Sequence, residues 1–317
     1  MDSFIYSLNA TVPIFMVMVI GNLLHRIGMI DKGFCNVADK FVFKVCLPCL
    51  LFSNISSTNI REHFDIHYLG FCLIATLLSI LALWFFTKLF MKDKTQVGAF
   101  VQGSYRSSAA ILGIAFIENI YGSSEMAPLM ILGSVPLYNI FAITILTYES
   151  NSNQEFSKSE RLKKAGIGIL KNPIIIGIFL GLVASYFNVS FPHMVEKTIA
   201  NLATITSPLA LISIGAAFEG KKAIKKLRPT IAASFIKLIA LTAIFLPIAI
   251  WLGFHDQKLI AIIIMLGSPC TATSYIMAKN MDGDAILASS IIVTTTLFSS
   301  ITLTGWIFLV RLLGLVQ

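Results

Sequence analysis

Apolar runs long enough to cross a lipid bilayer follow one another along the whole chain, and this feature decides the solvent in which it folds. A hydrocarbon core of about 30 Å needs roughly 20 helical residues at 1.5 Å each. Runs approaching or exceeding that length, with ends good to a few residues, lie at 4–25, 35–54, 68–90, 97–118, 126–148, 167–187, 197–217, 229–253, 258–279 and 285–313. Ten spans in 317 residues leave no soluble domain, and 56% hydrophobic against 13% charged residues is too little polar surface to cover one. The expected fold class is therefore an all-α polytopic membrane protein. The first span is not a signal peptide, because only Asp2 precedes it as a charge and no A-x-A-like site follows.

The net charge of +8 lies in short loops rather than on one soluble face, so it is a topology signal and implies no nucleic-acid partner. Alternate loops hold sixteen Lys and Arg residues, among them Arg26, Lys92, Arg161, Lys226 and Lys279, whereas the other side has only Arg61, Lys197, Lys258 and Arg311. The positive-inside rule places the richer loops in the cytoplasm and both termini outside, in the inner (plasma) membrane. Cys46, Cys49, Cys72 and Cys270 fall within apolar spans and Cys35 at the edge of one, which excludes a secreted disulfide framework. Cys46-Leu-Pro-Cys49 matches C-x-x-C, but the soluble βαβ setting of a redox motif is missing.

Pro13 and Gly21 recur as Pro173 and Gly181 at an offset of 160, and Pro48, Leu51 and Ser53 recur as Pro208, Leu211 and Ser213 at the same offset. Gly103-Ser104 recurs as Gly267-Ser268 at an offset of 164. The chain thus divides into a repeat over 1–148, a polar cytoplasmic linker over 149–166 and a second repeat over 167–317. Five spans is an odd number, so the second copy enters the membrane from the opposite side. Inverted repeats of this kind build carriers whose site lies near the midplane between interrupted helices.

Two such interruptions are visible. Gln102-Gly103-Ser104-Tyr105-Arg106-Ser107-Ser108 puts polar sequence about half way along the fourth span, and Gly267-Ser268-Pro269-Cys270-Thr271-Ala272-Thr273-Ser274 does so in the ninth. Pro269 removes a backbone donor and disfavours helix at Ser268. A broken helix persists in lipid only where protein or a wet cavity satisfies the freed backbone groups, and Ser107, Ser108, Thr271 and Thr273 can do so. The second half-helices would point their N-terminal N–H groups at the centre, which suits an anion. Central charge agrees: Arg106 lies there, with Lys44 and Lys237 expected nearer the cytoplasmic side and able to snorkel, and no Asp or Glu. Arg106 either contacts the anion or neutralises the carbonyl ends of the first half-helices.

The proline of LPCLLFSNI, the run QGSYRSSAAILGIAF and the run SPCTATSYIMAKNMDGD resemble the auxin efflux carrier family, in particular its short prokaryotic members. The likeness covers essentially the whole chain. It implies ten helices with crossing broken helices 4 and 9, a scaffold domain of helices 1, 2, 6 and 7, and a transport domain of helices 3–5 and 8–10. An elevator motion, a homodimer and small organic anions such as malate, malonate or auxin-like acids are implied with it. By the family's layout Tyr138, Asn139 and Asn54 join Arg106, Ser107, Ser108, Ser268, Pro269, Cys270, Thr271 and Thr273 as substrate-binding candidates. The chain departs from the plant pattern in having Tyr105 in place of the first crossover proline, and from many relatives in having Ser107 where they carry Asn.

No cofactor or metal is expected, and Na⁺ and H⁺ stay open as coupling ions. An intramembrane enzyme would need H-E-x-x-H, G-x-S-x-G or paired midplane aspartates, none of which occurs. A passive channel or a membrane sensor of the same fold remains an alternative.

Overall fold

The computed structural model describes residues 2–56, 65–109, 117, 121, 126–149, 167, 171–218 and 224–316. The half-helix expected beyond Ser108 and the linker with Arg161 lie largely outside them. The described residues are helical and contain no strand. The helices are α1 (Asp2–Arg26), α2 (Lys32–Phe41), α3 (Leu47–Ser56), α4 (Ile66–Phe90), α5 (Val97–Tyr105), α6 (Ala127–Tyr148) and α7 (Pro173–Tyr186). They continue as α8 (His193–Ala217), α9 (Leu227–Phe235), α10 (Leu241–Trp251), α11 (Asp256–Gly267), α12 (Thr273–Asn280) and α13 (Ala285–Leu312). Five-residue π-helical turns, Val42–Cys46 and Ile236–Ala240, join α2 to α3 and α9 to α10.

Short polar loops start these helices through side-chain caps that satisfy their first N–H groups. Asp31 accepts from Phe34 N at 2.7 Å, Asp65 from His67 N and Tyr68 N at 3.0 Å, Asn172 from Ile174 N at 2.9 Å and Asp284 from Leu287 N at 2.9 Å. Five helical runs are long and apolar enough to cross a membrane: Ile66–Phe90, Ala127–Tyr148, His193–Ala217, Leu227–Trp251 and Ala285–Leu312. Their outer faces expose Phe85, Phe90, Ile244, Trp251, Phe298 and Phe308. Such a surface is untenable in water and ordinary against lipid, so the chain is a multi-pass membrane protein.

Close packing holds α1 against α8 and α3 against α7. A Cβ on Gly21 would lie 2.3 Å from the Ile212 carbonyl oxygen, and one on Gly181 would lie 3.1 Å from that of Phe52. Gly21 and Gly181 are 160 residues apart, and so are Phe52 and Ile212. The contact that joins α1 to α8 therefore recurs, at the repeat offset, between α7 and α3.

One expectation is corrected. Lys237 does not snorkel to the cytoplasmic interface: it is 0% exposed and sits in the π-helical turn near the middle of the run Leu227–Trp251. Its Nζ donates to the Leu266 carbonyl in the last turn of α11. That carbonyl has lost its own helical partner because α11 stops at Gly267, so the ammonium finds an acceptor without travelling to the surface. Lys44, by contrast, is exposed.

Candidate functional site

α5 ends at Tyr105, where Arg106 turns to an extended conformation, and α11 ends at Gly267, where Ser268 does the same. The two interruptions touch: Ser108 N donates to the Pro269 carbonyl at 3.0 Å. The carbonyls freed at the end of α11 are taken by side chains. Met265 O accepts from Ser107 Oγ and from Tyr138 Oη, the latter at 3.1 Å, while Leu266 O accepts from Lys237. On the far side of the gap Cys270 N donates to Thr295 Oγ1 at 3.1 Å, and Thr273 N to Thr271 Oγ1 at 3.3 Å.

Beside these breaks is a small cavity of about 40 Å³, lined by Asn54, Arg106, Ser107, Ser108, Tyr138, Asn139, Thr271 and Thr273 with Leu47, Leu50, Leu51 and Val135. Eight of the eleven candidate residues meet there. Ser268, Pro269 and Cys270 do not line it; Pro269 contributes its carbonyl to Ser108, and the buried Ser268 hydroxyl has no hydrogen-bond partner among the described residues. A space of this size holds roughly one water molecule. α3 supplies one wall through Leu47, Leu50 and Leu51.

Arg106 is 3% exposed. Its guanidinium donates to Asn139 Oδ1 at 2.6 Å and to the Met277 sulfur at 2.9 Å, and Asn139 is held in turn by its Nδ2 bond to Val135 O at 2.8 Å. At the end of α11 the freed carbonyls fall to Ser107, Tyr138 and Lys237, and Arg106 lines the cavity wall. The one fully buried acidic residue among the described residues is Asp39, far from Arg106 in the chain and engaged elsewhere. Asp39 Oδ2 pairs with Lys279 Nζ at 2.6 Å, linking α2 to α12 beside a second cavity of about 480 Å³ lined by His25, Lys32, Tyr275 and Lys279 among others. The Arg106 guanidinium thus lines the small cavity with an amide and a thioether as its hydrogen-bond partners.

Sequence reasoning missed Met277, the leucine wall and the position of Lys237. Leu47, Leu50, Leu51 and Asn54 fall on one helical face, a spacing that could have placed the leucines beside Asn54. No signal in the sequence points to Met277. Among the described residues no group of His, Cys, Asp or Glu is arranged to hold a metal ion.

The chain is similar to a Rhizobium meliloti (strain 1021) protein provisionally named a malonate transporter, 23% identical over 316 residues that cover 94% of each chain. A family model described as membrane transport protein matches residues 6–307. With a match of that extent, running through both interruptions and all eleven candidate residues, the chain belongs to this membrane transport family, the auxin efflux carrier family that its motifs resemble.

Proposed function

We propose that the chain is a secondary transporter of small organic anions, carboxylates such as malate or malonate, working by elevator-type alternating access. The observation that carries the reading is Arg106: a buried guanidinium, without an acidic partner among the described residues, on the wall of a small cavity lined from both helix interruptions. A carboxylate supplies the missing charge and accepts from the guanidinium fork and the hydroxyls of Ser107, Ser108, Thr271 and Thr273. The name of the Rhizobium meliloti relative agrees with this chemistry.

The reading includes two inverted five-helix repeats, with spans 4 and 9 crossing at their breaks. The 160-residue offset shared by the Gly21–Ile212 and Gly181–Phe52 contacts supports it. Spans 1, 2, 6 and 7, which are α1, α2–α3, α7 and α8, form the scaffold, whose close glycine packing keeps it rigid, and spans 3–5 and 8–10 carry the site across. A homodimer in the inner membrane with both termini outside completes the proposal, with Na⁺, H⁺ or no coupling ion.

Counterflow in proteoliposomes tests it. Loaded vesicles should accumulate labelled malonate or malate transiently against its gradient, which neither a passive channel nor a sensor does. In the purified protein Arg106→Lys should weaken carboxylate binding by at least tenfold, because a point charge cannot reproduce the bidentate fork. Thr271→Val, which keeps shape and removes a hydroxyl, should weaken it several-fold with little change in melting temperature. Unchanged binding in both variants would remove the crossover from the mechanism.

A further inference from the structure

We infer that Lys237 is a specificity-determining charge for the anion site, acting through its field from outside the cavity and favouring dianions over monoanions. The inference rests on the carboxylate reading above. Lys237 is 0% exposed and does not line the small cavity. Its acceptor, Leu266 O, is the neighbour of Met265 O, which holds two of the cavity's own residues, Ser107 and Tyr138. Cys270, in the broken segment between Pro269 and Thr271, lies within electrostatic range of both Arg106 and Lys237.

The ammonium is also fixed in place. A π-helical turn displaces backbone pairing, and the Leu238 carbonyl is taken by Trp306 Nε1 at 3.0 Å, which pins the turn against α13. Gly267 leaves room on the other side, where an added Cβ would come within 2.8 Å of Thr242 Oγ1. A merely structural cap of the α11 end would require a donor but no charge. A neutral amide would serve that purpose without the expense of a desolvated ammonium in the membrane interior.

Two buried basic side chains, Arg106 and Lys237, thus flank the crossover, and the one fully buried acid among the described residues, Asp39, is paired with Lys279. Buried charges are weakly screened, so each negative charge on a ligand gains from Lys237 separately, by roughly tenfold in affinity at the separations of one binding region. A dianion gains twice. Arg106 alone would hold a monocarboxylate; the pair matches a dicarboxylate.

The experiment compares the native protein with Lys237→Gln, Lys237→Met and Lys237→Arg. Affinities for malonate and for propionate are measured at neutral pH on purified protein, alongside melting temperatures. Lys237→Gln, which keeps a donor for Leu266 O, should lose about tenfold of its malonate-over-propionate preference while melting near the native temperature. Lys237→Arg should retain the preference, and Lys237→Met should lose both preference and some stability. A preference unchanged in Lys237→Gln and Lys237→Met would overturn the inference and leave Lys237 as a helix cap. Failure of the native protein to bind either anion would overturn the carboxylate reading, and the inference with it.

Discussion

Gly215 sits where α8 crosses α1, and a Cβ there would lie 1.9 Å from the Met18 carbonyl oxygen. Neither backbone can retreat, since Asn22 Nδ2 also donates to Gly215 O at 3.1 Å across the same contact. Gly215→Ala should therefore lower stability by about 3 kcal/mol or more, the upper end of overpacking penalties. Gly70→Ala, where an added Cβ meets nothing within 4 Å, should be neutral or stabilising by up to about 1 kcal/mol. Unfolding midpoints of the two variants in one detergent check the contrast; equal midpoints would mean that the close approach is relaxed at no cost. Gly21 was legible in the sequence because it recurs as Gly181, but Gly215 was not, since the backbone it must admit lies almost two hundred residues away. Lys237 was legible as an intramembrane charge, yet its destination depended on where α11 stops and frees a carbonyl.

Among the elements, α4 begins with the Asp65 cap, and the same carboxylate pairs with Lys258 of α11 at 2.6 Å. The Lys258 hydrogen bond, helped by the Tyr68 and His67 N–H groups, holds the Asp65 carboxyl below its ordinary range. A depressed carboxylate stabilises the fold above its unfolded pKa of about 3.9, and the contribution disappears as pH falls through the lower folded value. Asp65→Asn keeps a competent cap and removes the charge, so it should cost up to about 1 kcal/mol at pH 7, the pair being partly exposed, and progressively less toward pH 3. A melting-temperature difference between variant and native that stays constant over that range would show the ion pair to be idle. Long elements were legible because one run of apolar residues makes one helix: 68–90 against Ile66–Phe90, and 126–148 against Ala127–Tyr148. The stops at Tyr105 and Gly267 fall in the two polar runs, since hydroxyls and Pro269 are what a helix end in lipid requires. The π-helical turns at 42–46 and 236–240 had no such signal, as an extra residue per turn leaves composition unchanged.

Across the whole molecule, each described ion pair joins positions that the charge count assigns to one side of the membrane. Lys226 meets Asp93 at 3.8 Å and Asp284 at 2.9 Å, Lys88 meets Glu149 at 3.0 Å, and Lys258 meets Asp65 on the opposite side. In a variant stripped of its native cysteines, the exposed Ser190→Cys should react with an impermeant thiol reagent in intact cells, and the exposed Lys92→Cys only after lysis. The reverse pattern would invert the assignment of sides. Side is an expectation that follows from charge counts along the chain, and this labelling is its test. Partnership between α2 and α12 was not legible in the sequence, because Asp39 and Lys279 are 240 residues apart and neither looks unusual alone. That partnership has a mechanical consequence. Thr273, on the wall of the small cavity, and Lys279, clasped to Asp39, belong to one eight-residue helix, a strut about 12 Å long. A strut cannot shift one end alone, so any displacement of α12 that enlarges the cavity loads the Asp39 clasp. By thermodynamic reciprocity, whatever an anion does to the clasp, the clasp does to the anion.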